Sequence, residues 1–440
     1  FCVLALAAGL GGLYYSSRAE RVIAPTGGRA PQETTVELKV IQRFALKEEL
    51  GFAAGLGVLE RSTLGYLQPG ERVYFSARWG LEEPLERGSI LSIKGVIAPT
   101  KLGGEGFDEY LERSHISWRL ERAKVLHVAK PAPFDMRIIE ALRRGTIATL
   151  ERNFGEEKSN GLLSAMVIGA RAEISKAQKE AFLRSGTMHL LAISGLNVMV
   201  VAGLIVWVGR LLGLRGVALA FAVAEGTYLY AQIAGGAPSV MRAWGMVFFG
   251  AVGYALRRQV KVWPVLILTA IASLMVEPLS LWHAGWRLSF GVVAGMVLGM
   301  GALERLLPTQ RLPFWLHGVW QSVAVSIIAG ISVFPMTAVY FGLWQPWGWA
   351  LNAVVVLLAG WITILGFCSM LLFFLPIVPE ALNTVSGWLL SAMEWLIDSY
   401  LKLPGAVAEV KLPDYVEWVG SLALLGAFYI LARLAKKKEF

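Results

Sequence analysis

From His189 to Asn197 the chain reads His-Leu-Leu-Ala-Ile-Ser-Gly-Leu-Asn, which sets polar and small residues into the first turns of a long apolar stretch. Three chemistries use these residue types. A Ser–His pair suggests a hydrolase, in which the imidazole takes the serine proton. His189 and Ser194 are five apart, however, on poorly matched helix faces. No Gly stands two before Ser194 to make the Gly-x-Ser-x-Gly elbow of such enzymes. The second chemistry is packing: Ser and Gly let helices approach closely, and Asn hydrogen-bonds across them. The third is a polar lining or a break in the helix. Spacing disfavours the hydrolase and leaves the other two open.

Further polar residues interrupt the apolar stretches downstream. Glu225 stands in mid-stretch, where a carboxylate is costly and usually faces a bundle interior. Its alternative is a protonated, hydrogen-bonded side chain. Arg242 lies one turn inside the next stretch, after Gly235-Gly236-Ala237-Pro238. It either snorkels to the interface or pairs with Glu225. Gly285-Trp286-Arg287-Leu288-Ser289-Phe290 opens another stretch, and Pro335 and Asn352 are expected to interrupt two more. Such breaks are tolerated where neighbours or water satisfy the freed backbone groups. Together they suggest a polar path made of His189, Ser194, Gly195, Asn197, Glu225, Arg242, Ser289 and Asn352. Ser194, Asn197, Glu225, Arg242 and Asn352 are expected around one cavity.

Metal and nucleotide chemistry find no place in this reading. His115, His127, His189, His283 and His317 are scattered, with no His-x-His or His-Glu-x-x-His. There is no P-loop and no Gly-rich dinucleotide fingerprint. No cofactor and no catalytic residue is expected.

The elements that hold these residues follow from composition. Of 440 residues 55% are hydrophobic and 17% charged, with 16 Trp, and mean hydropathy is +0.56. Soluble domains carry about 25% charged residues, so a polytopic membrane protein is expected. Cys2 and Cys368 lie far apart in apolar runs and give no disulfide framework. Residues 1–16 are apolar and uncharged, and are expected to be part of a membrane helix rather than a signal peptide. Between 22 and 130 lie short alternating runs: Thr35–Val40, Arg72–Arg78, Ile90–Ile97 and Ala123–Val128. With a short helix at Phe107–Ser114, about five strands suggest a small β-barrel, OB-like or SH3-like.

Residues 134–187 turn helical and amphipathic. Ile139, Leu142, Ile147, Leu150 and Phe154 fall roughly on one face, and Arg137, Arg143, Arg144 and Arg152 elsewhere. Such a helix lies on a membrane surface or packs on the barrel or other helices; both readings stand. Residues 188–440 hold about nine apolar stretches, most near the ~20 residues that span a bilayer. Basic residues collect in alternate loops: Arg210 and Arg215; Arg257, Arg258 and Lys261; Arg305 and Arg311; Arg433 and Lys436–Lys438. By the positive-inside rule these loops are cytoplasmic, which puts the barrel outside.

The segment His189–Asn197 resembles the His-Leu-Leu-Ala-Ile-Ser-Gly-Leu-His signature of the ComEC competence proteins. The resemblance continues in Ser239–Ala243, Glu277-Pro278, Gly285–Phe290, Phe334-Pro335 with Phe341-Gly342, and Asn352. It implies a bacterial cytoplasmic-membrane channel that passes single-stranded DNA during natural transformation, with an external OB-like domain. A DNA receptor outside is an expected partner, and with no nucleotide-binding loop in the chain the pulling force is expected from an ATP-driven motor in the cytoplasm or from the proton gradient through Glu225. Asn197 stands where the family has a second His. The metallo-β-lactamase-like domain that many members carry is not expected here, so the chain is expected to conduct DNA and not to cut it. Charge alone gives less: residues 22–130 hold 15 Lys and Arg against 14 Asp and Glu, and DNA binding rests on a basic surface. A proton-coupled transporter of a small or lipidic solute, with Glu225 as proton site, is the alternative. An assembly protein whose barrel docks a partner is a third.

Overall fold

The computed structural model describes residues 30–47, 52–80, 85–100, 111, 116–152, 160–170, 174–191, 193–306, 314–410, 412–413 and 415–437. The apolar run 1–16 and most of the expected short helix at Phe107–Ser114 lie outside them. The chain divides into two compact units, the first running to Arg144 and including Ala272–His283, the second holding the rest.

In the first unit β1 (Gln32–Lys47), β2 (Phe52–Ser62), β3 (Arg72–Arg78), β4 (Ile90–Pro99) and β5 (Trp118–Lys130) close into a barrel. The order is β1-β2-β3-β5-β4. β4 is antiparallel to both β1 and β5. The parallel pairing of β3 with β5 completes the ring. Strict alternation sends Val36, Leu38 and Val40 of β1 inward, where they meet Val73, Phe75, Leu91, Ile93, Trp118 and Leu120. Trp118 is buried, and its Nε1–H donates to Glu71 Oε2 at 2.7 Å, so the indole donor is satisfied inside an apolar core.

Four strands lie where alternation places them. The fifth, β2, reads Phe-Ala-Ala-Gly-Leu-Gly-Val-Leu, and its glycines conceal it. A Cβ on Gly55 would stand 2.5 Å from the Gln42 carbonyl oxygen. The glycine therefore marks a close approach of β1 to β2 rather than the end of a strand.

Helix α1 (Phe134–Leu150) follows. Glu140, buried on one of its faces, lies 3.7 Å from Arg43 of β1, and Arg43 also donates to the Leu85 carbonyl at 2.9 Å. Arg144 stands 3.7 Å from Glu86. A second face leaves Phe134, Ile138 and Leu142 exposed. Leu142 and Leu150 therefore do not share one packed face, which corrects the single stripe expected from the sequence. The real helix divides its apolar residues between a buried side and an open one. Phe154 lies outside the described residues. Within the same unit Arg72 of β3 pairs with Glu277 at 2.7 Å.

The second unit is helical apart from β6 (Leu343–Trp344) and β7 (Ala408–Glu409), which pair as an antiparallel ribbon. It begins with α2 (Asn160–Ile168), α3 (Lys176–Arg184) and α4 (Met188–Leu191). Then come α5 (Gly195–Leu211), α6 (Gly216–Ile233), α7 (Pro238–Ala255), α8 (Val262–Val276) and α9 (Ala284–Leu306). The chain closes with α10 (Phe314–Phe341), α11 (Gly348–Leu371), α12 (Val378–Leu401) and α13 (Tyr415–Lys437). The stretches 284–301, 320–341 and 348–371 are long and apolar enough to cross a bilayer, and 195–211, 262–276 and 415–431 are apolar but shorter. The architecture is that of a polytopic helical membrane protein with an N-terminal barrel.

Local chemistry sets the helix ends. Gly235 and Gly236, both at positive φ, close α6 by donating back to Gln232 and Ala231. Pro238 then opens α7 at its first position, where its missing N–H costs nothing. Pro335 and Asn352 interrupt neither of their helices, contrary to expectation: α10 runs through Pro335 to Phe341, and α11 begins ahead of Asn352.

Helix α2 is the unexpected element. Every residue from Gly161 to Ile168 is buried. Leu162, Leu163, Met166 and Val167 share one core with Val198, Tyr230, Val355, Ile362 and Leu390 of α5, α6, α11 and α12. Gly366 of α11 admits it: a Cβ there would meet Val167 Cγ2 at 2.5 Å. Helix α2 is thus a core element of the bundle. Helix α3, which starts with a capping box of Ser175 and Gln178, is tied to α12 where Gln178 donates to Glu394 at 2.8 Å.

Candidate functional site

The His189–Asn197 segment is not one continuous helix. Ile193 and Ser194 separate α4 from α5, and Ser194 is extended at φ −107° and ψ 172°. Of the readings left open by the sequence, a helix break is the one present. Asn197, in the first turn of α5, explains why the break holds. Its Oδ1 accepts from Ser194 Oγ at 3.0 Å and from the Ser194 N–H at 3.4 Å. Its Nδ2 donates to the Met166 carbonyl at 2.6 Å.

Met166 lies in the last turn of α2, where helix carbonyls lack partners along their own chain. Tyr230 of α6 serves the next one, its hydroxyl donating to the Val167 carbonyl at 2.8 Å. Gly169 and Ala170 return to Ala165 and Ser164. A helix end inside an apolar core is costly unless each such group is met, and here Asn197 and Tyr230 meet two of them. Asn197 is therefore a clamp between α2 and α5, and its amide carries both a donor and an acceptor in fixed places.

The break also lies against the start of α7. Ser239, at the start of α7, donates to the Ile193 carbonyl at 3.2 Å. A Cβ on Gly195 of α5 would stand 3.9 Å from Ala243 of α7. One turn into α7, Arg242 reaches α9. Its Nη2 donates to the Gly285 carbonyl at 2.9 Å and to Ser289 Oγ at 3.0 Å. Arg242 is 8% exposed, and its Nε–H is buried with no acceptor among the described residues. Helix α7 thus meets the start of α5 through Ser239 and Ala243, and the start of α9 through Arg242, which joins Gly285 and Ser289.

Other expected members lie apart. His189 is exposed and its Nδ1–H donates to the Gly186 carbonyl at 3.2 Å. Ser194 Oγ is engaged with Asn197, so no Ser–His pair forms. Glu225 is exposed on α6 and does not meet Arg242, which corrects the expected pairing and the expected interior carboxylate. Its neighbours Ala224 and Thr227 are the buried ones, so the face of α6 that carries Glu225 turns outward. Asn352 lies on α11 with its Oδ1 buried and without a hydrogen-bond partner among the described residues. Among those residues no three His, Cys, Asp or Glu side chains group to hold a metal ion.

The sequence reading missed a buried ion pair. Arg287 Nη1 of α9 stands 2.9 Å from Glu417 Oε1 of α13, both side chains under a tenth exposed. Arg287 also bonds the hydroxyl of Tyr340 on α10. The signal was available: Glu417 is a carboxylate in the first turn of an apolar helix, as costly as Glu225.

A family model described as "Competence protein" matches residues 166–436. The chain belongs to the competence protein family. The family stretch opens at Met166, the residue whose carbonyl Asn197 holds. It contains the whole junction of α5, α7 and α9, and the barrel lies before it. Among curated relatives, ComE operon protein 3 of Bacillus subtilis (strain 168) is 25% identical over 282 residues, 64% of this chain and 33% of that protein. Competence protein ComA of Neisseria gonorrhoeae is 30% identical over 178 residues, 38% of this chain and 25% of that protein. The chain thus spans about a third or less of the curated relatives it matches. No solved structure matches it.

Proposed function

We propose that this chain forms a conduit that passes single-stranded DNA across the bacterial cytoplasmic membrane during natural transformation. The observation that carries the reading is the competence-family match over a bundle in which Arg242 is buried at the start of α9 without a carboxylate partner among the described residues. Ionisable residues inside a membrane bundle commonly mark a substrate or ion path.

In this reading the barrel is extracytoplasmic and OB-like, which its closed five-strand order supports. The C-terminus is cytoplasmic, as the basic residues of alternate loops support. The chain conducts and does not cut. A receptor outside delivers the strand, and an ATP-driven motor in the cytoplasm pulls it. The proton-coupled transporter loses ground because the acid it needs, Glu225, is turned outward from the core of the bundle.

The test is uptake of labelled duplex DNA by a naturally transformable host with this gene deleted. DNA should bind the cell surface and stay sensitive to added nuclease, and transformants should fall to background until the gene is restored. Unchanged internalisation in the deletion strain would remove the conduit reading.

A further inference from the structure

We propose that the junction of α5, α7 and α9 is a phosphodiester-binding site, with Arg242 as the residue that contacts the backbone phosphates of the passing strand. This rests on the conduit reading and names where in the bundle the strand is held. Three features of the junction combine.

The first is the meeting of helix starts. The helices α5, α7 and α9 have 17, 18 and 23 residues, and none carries an acid in its first turn. No side chain caps the start of α7 by accepting from its first amide groups, whereas at α5 Ser194 and Asn197 form a capping box. A helix start holds about half a positive charge, with N–H groups aimed outward. The start of α7 meets that of α5 through Ser239, and Arg242 of α7 meets that of α9.

The second is Arg242 itself. Its two hydrogen bonds go to a backbone carbonyl and a hydroxyl, which satisfy donors but leave the charge unbalanced. Among the described residues no carboxylate pairs with it, and its Nε–H is buried without an acceptor. The nearby acid Glu417 is committed to Arg287. A buried cation at the positive start of α9 is electrostatically incomplete. The missing component is an anion, and a guanidinium fork matches the oxygens of a phosphodiester.

The third is access. Gly195 and Gly285 at the rim of the junction are exposed, and glycine lets a ligand backbone come close. A monoanion is a better match than a dianion, because a moving strand must leave each site as readily as it enters.

The experiment uses the full chain purified in neutral detergent, with fluorescent oligothymidylate titrated at several salt concentrations. Arg242→Gln should lower affinity several-fold and make the slope of log K against log salt shallower by about 0.7, the value for one phosphate contact on a single strand. Because Arg242→Gln removes a buried partner of Ser289, a second variant protects the test. Gly285→Asp places a carboxylate beside the guanidinium, since a Cβ there stands 3.8 Å from Arg242 Nη2 and touches nothing else. It should raise the thermal midpoint, by pairing with Arg242 and with the start of α9, while weakening oligothymidylate binding. Gly285→Asn, uncharged, should leave binding near wild type.

Wild-type binding that neither Arg242→Gln nor Gly285→Asp weakens would overturn the site and leave the conduit reading standing. No binding by the wild type at low salt would remove both. The chain in phosphatidylglycerol nanodiscs supplies the last arm. If that lipid abolishes oligothymidylate binding by the wild type, the site holds a lipid headgroup and the nucleic-acid assignment falls.

Discussion

Lys94 and Glu33 lie 3.1 Å apart on the barrel, and Arg287 and Glu417 lie 2.9 Å apart in the bundle. The distances are alike, but the settings are not. The barrel pair is more than half exposed, and water solvates both ions whether or not they meet. The bundle pair is nearly enclosed, and each ion depends on the other. The barrel spends its charges on its surface and builds its interior from Val, Leu, Ile and aromatic side chains. The bundle is apolar on its outside and keeps its decisive polar groups at helix ends. A buried polar residue such as Arg287 or Asn197 in the bundle therefore marks a connection between two named elements, whereas an exposed one on the barrel usually marks only solvent.

The strongest way to break this contrast is Arg287→Leu. Leaving one member of a buried ion pair alone costs about 3–5 kcal/mol, so the thermal midpoint of the purified chain in detergent should fall steeply. The double change Arg287→Leu with Glu417→Leu should recover much of that loss, since a pair replaced as a whole leaves no orphan charge. Equal losses for single and double variants would mean the two residues do not act as a pair.

Asn197→Ala comes next. It strips the Met166 carbonyl of its donor, and an unmet buried acceptor costs about 1–3 kcal/mol. Hydrogen exchange should quicken in α2 more than in α9, because the clamp joins α2 to α5. Uniform exchange across both helices would deny the clamp.

The smallest effect belongs to the barrel. Lys94→Ala should change stability by about 0–1 kcal/mol, as exposed pairs do, and added salt should shrink even that difference by screening the pair. A loss as large as that of Arg287→Leu would erase the distinction between the two regions.

Much of the barrel was legible because a period of two is a local property. Arg72–Arg78 shows its buried face in seven residues without reference to any partner. Strand β2 escaped because the close contact of Gly55 with Gln42 lies in the fold, and the glycine alone reads as a break. In the bundle the existence of the helices was legible from apolar length, but the partners of their polar residues were not. Asn197 was read as a packing residue or part of a polar lining, yet its partner Met166 precedes it by 31 residues and could not be named. Arg242 was offered Glu225 as its nearest acid along the chain, and it reaches α9 instead. Glu225 shows the limit of reasoning from cost: a mid-helix carboxylate has to face something other than lipid, but the sequence does not say in which direction that lies. Within 134–187, α1 shows both buried and exposed apolar residues, while α2, with apolar residues on most sides, already had the composition of a buried helix.

The seating of α2 has a consequence for how the protein is made. Nine residues of helix reach about 14 Å, under half of a bilayer's ~30 Å hydrocarbon core, so α2 cannot insert as a span on its own. It leaves the ribosome before any of the helices that enclose it. Its carbonyl partners follow 31 and 63 residues later, and Gly366, against which Val167 rests, comes nearly two hundred residues behind. The earliest helical piece of the second unit to be synthesised is thus among the last to reach its place. Until α11 arrives, a largely apolar segment has to wait, and the bundle closes around it with helices that all follow it in the chain.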